Sequence, residues 1–480
     1  MSILRKLEGL KPERVFYYFE EISKIPRESY NEKEISDYLV EFGKRLNLET
    51  YQDKHYNVIL RKKGCEDLPA VILQGHMDMV CEKENESNHD FKKDPIKLVV
   101  DKNILKADKT TLGGDNGIAL AMGMAILEDE SIKNGIELLV TTSEEVDLNG
   151  ALSLEPNLLK GKMLINLDSE DEGIVTVGSA GGVEIDIALP ITKHEVPHAS
   201  VYTLVLDKLQ GGHSGTEINQ NRCNANKIMA ELLEKLSKDD KFTLVEISGG
   251  SKDNAIPRRA KAVIASNENM EDKIIIACNK LKEKYIKLEP EIHFEVETTI
   301  GKNIIAISKE SFKKYLKIIK ELPTGVNTMM KEYPEIVESS DNLAIVKTLD
   351  DCINIIISLR SSEPSVLEEL KNKISNILKD NEAEFEFSAG YPEWRFRADS
   401  KLRDKALEVY KKMYNKDMKV EVIHAGLECG AISQNYSDID FISIGPNLRE
   451  VHTPSEYLEI DSVERVYNLS LIHISEPTRP

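Results

Sequence analysis

Five side chains of this 480-residue chain have the types and spacing expected of metal ligands: His76, Asp115, Glu145, Asp168 and His452. Each sits on its own loop, and most of these loops follow a short apolar run. Two of the five have a spare carboxylate beside them, Asp78 two residues after His76 and Glu144 directly before Glu145. Imidazole and carboxylate without thiolate suit Zn²⁺, or Co²⁺ or Mn²⁺, at a hydrolytic site that keeps one position open for water. The ligand count implies two ions. Asp115 can bridge them through its two oxygens, with His76 and Asp168 on one ion and Glu145 and His452 on the other. Asp78 is then placed to orient the His76 ring. Glu144, adjacent to a ligand but not needed as one, is the natural general base. A single His or Asp is more often a solvated or structural group, so the weight rests on several such loops recurring after apolar strands.

Something must hold those loops together. Val58-Ile59-Leu60, Val71-Ile72-Leu73, Ile136 to Thr142 and Met163 to Leu167 read as buried strands, with a helical pattern from Ile118 to Leu127 between the second and third. Two helices broken at Pro26 are expected over Val15 to Leu46. Alternating strands and helices argue for an α/β sheet, and ligands bind such sheets at the carboxyl ends of the strands. His76, Ser143-Glu144-Glu145 and Asp168 fall there. Phe441 to Ile444 feeds the loop holding His452, and Asp115 lies just before a helix.

From about Val183 the texture changes to strands of alternating polarity, such as Val201 to Leu206 and Ile292 to Thr298, between Lys/Glu-rich amphipathic helices. Two segments repeat an order of helix and strand: Asn224 to Leu236 then Phe242 to Ile247, and Ser365 to Leu378 then Glu384 to Phe387. Near Gly390 the first texture returns, with Leu402 to Tyr414 as helix and Val420 to Ile423 as strand. A sheet domain over 1–185 and 389–469, with a second domain inserted at 186–388, is therefore expected. Residues 470–480 end in Ser-Glu-Pro-Thr-Arg-Pro, lack core periodicity and read as translated adapter sequence, a non-native tail.

Composition narrows the function classes. Hydrophobic residues make up 41% and charged residues 30%, as in ordinary soluble domains. A formal charge of -20 repels phosphate backbones and anionic lipid, which argues against nucleic acid or a membrane as partner. No signal core follows Arg5 and Lys6, and six scattered cysteines without a CxxC pair fit reduced thiols, so a cytoplasmic protein is expected. Cys81 reads as a small buried hydrophobe rather than a nucleophile.

Gly75-His76-Met77-Asp78-Met79-Val80, Thr111 to Gly117, Thr141-Thr142-Ser143-Glu144-Glu145, Leu164 to Glu170 and Gly211-Gly212-His213-Ser214-Gly215 resemble a known family. It is the di-zinc family of aminoacylases, carboxypeptidases and dipeptidases, and the wording is similar to its bacterial aminoacyl-histidine (Xaa-His) dipeptidase branch. The resemblance runs from the first helices to about Leu469. It implies an α/β zinc-peptidase-like catalytic domain, a mixed sheet with helices on both faces, carrying an inserted α+β ferredoxin-like lid. It assigns the five ligands, Asp78 and Glu144 the roles above, and makes Asp115-Asn116 a cis peptide. On the lid it implies that His213 polarises the scissile carbonyl and Arg360 holds the peptide carboxylate. Asn254 and the Gly426 to Gly430 loop, Gly430 included, are further pocket candidates. Three departures stand out: Gly114 where Ala is usual, Asp147 in place of a glycine, and Thr-Pro-Ser-Glu after His452 where Ser-Pro-Asp-Glu is usual.

The activity so implied is hydrolysis of a small peptide, an aminoacyl-histidine or other dipeptide, at two divalent ions, most simply Zn²⁺, about 3.5 to 4 Å apart. An N-acyl amino acid deacylase on the same scaffold, or a catalytically silent metal- or peptide-binding protein, are the competing readings. A homodimer through the lid is a further possibility that the resemblance raises.

Overall fold

A computed structural model describes residues 5–65, 70–239, 241–331, 334 and 336–475. The chain forms two compact units. One comprises Met1–Ser179, Trp394–Val422 and Leu427–Pro480, and the other Ala180–Glu393 with Ile423–Gly426.

The first unit is built on an eight-stranded sheet in the order Glu49–Gln52, Val58–Lys62, Ile136–Thr141, Val71–His76, Met163–Asn166, Asp440–Ser443, Ile174–Ser179 and Lys419–Ile423. Val71–His76 runs parallel to both Ile136–Thr141 and Met163–Asn166, and Asp440–Ser443 continues the parallel centre. The outer pairings are antiparallel where Val58–Lys62 meets Ile136–Thr141 and where Asp440–Ser443 meets Ile174–Ser179. Every residue of the three central strands is buried, which is why they read as unbroken apolar runs rather than alternating ones. Val71 and Leu73 join a core with helices Glu13–Ile22 and Gly114–Glu128, whereas Gln74 meets Glu428 of helix Glu428–Asn435. Helices thus cover both faces.

The parallel register sets His76 opposite Thr141 and Gln74 opposite Asn166. The carboxyl ends of three strands therefore share one edge. His452 reaches that edge by a route the sequence does not disclose. Asp440–Ser443 does not feed its loop directly. The loop instead spans the hairpin Leu448–Arg449 and Tyr457–Glu459 of a separate four-stranded antiparallel sheet completed by Ile104–Ala107 and Leu98–Asp101.

The second unit is an antiparallel sheet of nine strands. Along its path lie His293–Ile307, Lys193–Asp207, Ala260–Ser266, Thr243–Gly249, Val337–Thr348, Cys352–Ser361, Gly181–Pro190 and Glu384–Phe387, and Gly325–Met329 pairs with Val337–Thr348. Helices Ala225–Leu236, Glu271–Tyr285, Lys309–Glu321 and Pro364–Asp380 bury their apolar stripes against it. Two strands expected to be short, around Val201 and Ile292, are each fifteen residues long, because their continuations pair with one another along nearly their full length. The unit begins at Ala180 because strand Gly181–Pro190 already pairs with Cys352–Ser361; the change of texture near Val183 and the expected boundary at residue 186 both fall inside that strand.

The last helix runs Ile460–Ser475, past the expected stop at Leu469. Ser470 does not break it, since its buried hydroxyl donates to the Val466 carbonyl at 3.0 Å within the helix. Residues 476–480 of the expected tail lie outside the described residues. All six cysteines are free, and among the described residues no helix is long and apolar enough to cross a membrane.

Candidate metal centre

Local turns deliver each side chain. Ser143, at φ +55, ends strand Ile136–Thr141 and turns Glu144 and Glu145 out of it; its amide and hydroxyl both donate to Glu32 Oε1, at 3.0 and 3.1 Å. His452 is likewise left-handed, at φ +61. Non-glycine residues held in this region of conformational space cost energy, and they collect where a site fixes them. The Asp115–Asn116 peptide at the head of helix Gly114–Glu128 is cis.

His76 Nε2 stands 3.0 Å from Asp115 Oδ1 and 3.3 Å from Asp168 Oδ1. His452 Nε2 stands 3.1 Å from Asp115 Oδ2 and 2.9 Å from Glu145 Oε2. Three three-donor groups result, His76 with Asp115 and Asp168, Asp115 with Glu145 and His452, and His76 with Glu144 and Glu145; the donor atoms in each lie within 4.8 Å of one another, and Asp115 belongs to the first two through different oxygens. Glu144 Oε2 lies 3.9 Å from His76 Nε2. Behind the ring, Asp78 Oδ1 is 3.4 Å from His76 Nδ1, and the Asp78 carboxylate accepts the amides of Glu144 and Glu145.

The electrostatics are those of an acid-rich cluster. Burial alone would lower the His76 pKa, but Asp168, Asp115 and Asp78 hold it well above the imidazole value. Bonds to Asp115 and Glu145 raise His452 to about 11. Burial pushes Asp168 up to about 6 against the pull of His76. It pushes Glu144 well above the carboxylate range, with Asp168, Glu145 and Glu428 adding repulsion. Asp115 goes the other way: burial is outweighed by the two imidazoles, which favour its charged form.

The donor set fits divalent cations. Five carboxyl groups face two imidazoles, and Glu145 Oε1 is buried without a partner. Buried negative charge of this density is costly unless cations neutralise it. Nitrogen and oxygen donors without thiolate suit Zn²⁺, or Co²⁺ or Mn²⁺.

The remaining sequence candidates fall elsewhere. His213 and Asn254 belong to the second unit and line one cleft of about 970 Å³ there. His213 Nδ1 accepts the amides of Gly215 and Thr216, at 3.2 and 3.1 Å, which leaves Nε2 as the N–H donor of a neutral ring. Ser214 donates its amide to Asn254 O at 2.8 Å. Arg360 is buried in the same unit, donates from Nη1 to Tyr391 Oη at 2.5 Å, leaves Nε without a partner, and forms no ion pair among the described residues. Gly430 sits inside helix Glu428–Asn435, its amide already bonded to Leu427 O, so it has no free donor for a ligand. Asp147 is exposed and tied to Tyr30 Oη at 3.2 Å and to the Asn149 amide. Gly114 leaves room for its neighbours, since a Cβ there would meet Leu448 Cδ2 at 2.7 Å.

Three residues had no role assigned from sequence. Glu428, fully buried, accepts from Gln74 Nε2 at 2.5 Å and Thr141 Oγ1 at 2.8 Å, and burial raises it to about 7. Gln74 in turn accepts from Asn166 Nδ2, whose Oδ1 accepts the Asp168 amide, so a polar chain backs both His76 and Asp168. Glu456 and Arg27 grip the Asp115 loop. Glu428 lay within the Gly426 to Gly430 loop and Glu456 closed the Thr-Pro-Ser-Glu stretch after His452, whereas Arg27 carried no signal beyond a charge beside Pro26.

Residues 72–471 match the model of peptidase family M20/M25/M40. The chain belongs to that family. It is 33% identical over 475 residues, 97% of this chain and 98% of the relative, to the cytosol non-specific dipeptidase of Escherichia coli (strain K12). It is also similar to the crystal structure of aminoacylhistidine dipeptidase from Vibrio alginolyticus, with a TM-score of 0.88, 32% identity and 99% of each chain covered. The aminopeptidase PepT of Bacillus cereus shares the fold at a TM-score of 0.57 and 16% identity, over 97% of this chain and 98% of that one. This family of metallopeptidases combines an α/β catalytic domain with an inserted α+β domain, the architecture seen here in the two units.

Proposed function

We propose that this protein hydrolyses the peptide bond of dipeptides at two divalent metal ions, His76 and Asp168 holding one, Glu145 and His452 the other, and Asp115 bridging. The observation that carries the reading is the sharing of Asp115, through separate oxygens, between two three-donor groups at the carboxyl edge of the sheet. The two dipeptidase relatives match over nearly the whole length, which favours dipeptides over N-acyl amino acids. Zn²⁺ is the ion we expect, with Co²⁺ or Mn²⁺ as substitutes, and a cytoplasmic location agrees with the relative's name.

When bound, such ions supply Lewis acidity, making water nucleophilic at neutral pH and polarising a carbonyl. The protein's groups do the rest. Glu144 takes the proton of the attacking water and returns it to the leaving amine, a role suited to a carboxyl whose pKa burial raises well above the usual carboxylate range. Asp78 holds the His76 ring. In the second unit, the His213 Nε2–H is a donor suited to an oxyanion, and the Arg360 guanidinium, which forms no ion pair among the described residues, is suited to a peptide carboxylate. The test is a panel of dipeptides and N-acyl amino acids, assayed after chelator stripping and after adding Zn²⁺, Co²⁺ or Mn²⁺. Metal-restored cleavage of dipeptides supports the reading; cleavage of N-acyl amino acids alone, or no cleavage, overturns it.

A further inference from the structure

Glu456 lies in the same hairpin loop as His452, yet its carboxylate is buried and spent on the loop before Asp115. Oε2 accepts the amides of Leu112 and Gly113 at 2.7 and 3.0 Å, and Oε1 accepts those of Gly114 and Asp115 at 2.8 and 3.3 Å. Four consecutive amides end on one side chain. Arg27, also buried, works from the other side. Its Nη2 donates to Gly113 O at 2.5 Å, and its Nη1 donates to Met77 O and Asp78 O at 3.0 and 2.9 Å. Gly113 is therefore held by its N–H to Glu456 and by its C=O to Arg27. Its φ of +68° and the 2.3 Å at which a Cβ would meet Arg27 Nη2 leave only glycine fitting there.

The consequence is mechanical. Arg27 ties down the chain after His76, Glu456 ties down the chain after His452, and both act on the segment that aims Asp115. Any rotation of that segment moves Asp115 Oδ1, 3.0 Å from His76, together with Oδ2, 3.1 Å from His452. We propose that Glu456 and Arg27 are positioning residues that fix the bridging carboxylate, so that releasing the clamp weakens both metal positions together. This rests on the two-metal reading above. A ligand confined to one group, such as Asp168, has no such reach.

The experiment is a calorimetric titration of the chelator-stripped full chain with Zn²⁺, on wild type, Glu456→Gln and Asp168→Asn. Glutamine keeps the shape of the side chain but only one acceptor oxygen. Glu456→Gln should weaken both binding steps by about 10- to 100-fold, the range for groups that orient metal ligands, with circular dichroism showing the folded chain. Asp168→Asn should weaken chiefly one step. Loss of a single step in Glu456→Gln, or unchanged affinities, overturns the proposal. Should Glu456→Gln fail to fold, Arg27→Lys, which keeps the charge but not the forked geometry, must give the same paired weakening. A wild type that binds no Zn²⁺ would instead sink the two-metal reading itself.

Discussion

The carboxylate of Asp78 lies 3.4 Å from His76 Nδ1 while accepting the amides of Glu144 and Glu145 at 3.1 and 3.2 Å and the Ser29 hydroxyl at 2.8 Å. One group thus sets the ring of a proposed ligand and the backbone of the proposed base. Burial opposes its charge, but His76, Ser29 and the Glu144 amide hold its pKa below the usual range. Asp78→Asn should therefore lower metal affinity and kcat each by about 10- to 100-fold. Metal titration beside steady-state kinetics checks it, and values within twofold of wild type would remove Asp78 from this role.

Glu144→Gln should keep both metals and lose turnover by roughly 10²- to 10⁴-fold, the usual worth of a general base. The Asp78 bond to the Glu144 amide is unaffected by the change, so the loop should stay in place. Metal content by mass spectrometry, paired with a dipeptide assay, separates the two effects. An undiminished rate would assign the proton transfer elsewhere.

Metal should stabilise the fold as well as activate it. A ligand bound only by the folded chain adds about 2.7 kcal/mol at a hundred times its Kd. Thermal scans should show Tm rising with added Zn²⁺ and falling with chelator. A Tm indifferent to both would argue against a metal centre.

Arg360→Ala should raise KM for dipeptides far more than it lowers kcat, since a charge-assisted hydrogen bond is worth about 1.5 to 3 kcal/mol. Wild type should also discriminate against dipeptide amides, and the variant should not. Equal discrimination by both would place the carboxylate anchor on another residue.

His424, buried in the second unit, has its Nε2 in hydrogen-bond contact with the Ser340 hydroxyl, 2.7 Å away. Burial, then Arg360 and His213, lower its pKa to about 3. The unfolded chain takes up this proton near pH 6.5, whereas the folded chain resists until about pH 3. The contribution to stability is thus complete above pH 6.5 and is lost as pH falls through that window, at up to about 1.4 kcal/mol per pH unit. Urea unfolding of wild type and His424→Gln between pH 8 and 4.5 should show a shallower acid loss in the variant; parallel curves would exclude His424 as the cause.

The strands were legible because buried parallel strands are apolar on both faces, as Val71–His76, Ile136–Thr141 and Met163–Asn166 are. The long pair Lys193–Asp207 and His293–Ile307 was only half visible. Its exposed positions mix polar residues with Ile300 and Ile305, so no apolar period runs its full length, and its pairing is held by backbone bonds. The final helix was placed too short because Ser470 looks like a stop until its hydroxyl is seen satisfied inside the helix.

By itself the sequence determined the chemistry on offer: which imidazoles and carboxylates exist, which follow apolar runs, and that no thiolate accompanies them. Only the tertiary structure decided that His76 and His452, 376 positions apart in sequence, meet on opposite oxygens of Asp115. It alone revealed the grip of Glu456 and Arg27. Their partners are backbone amides and carbonyls, which nearly every residue possesses, so no pattern of side chains could have announced them.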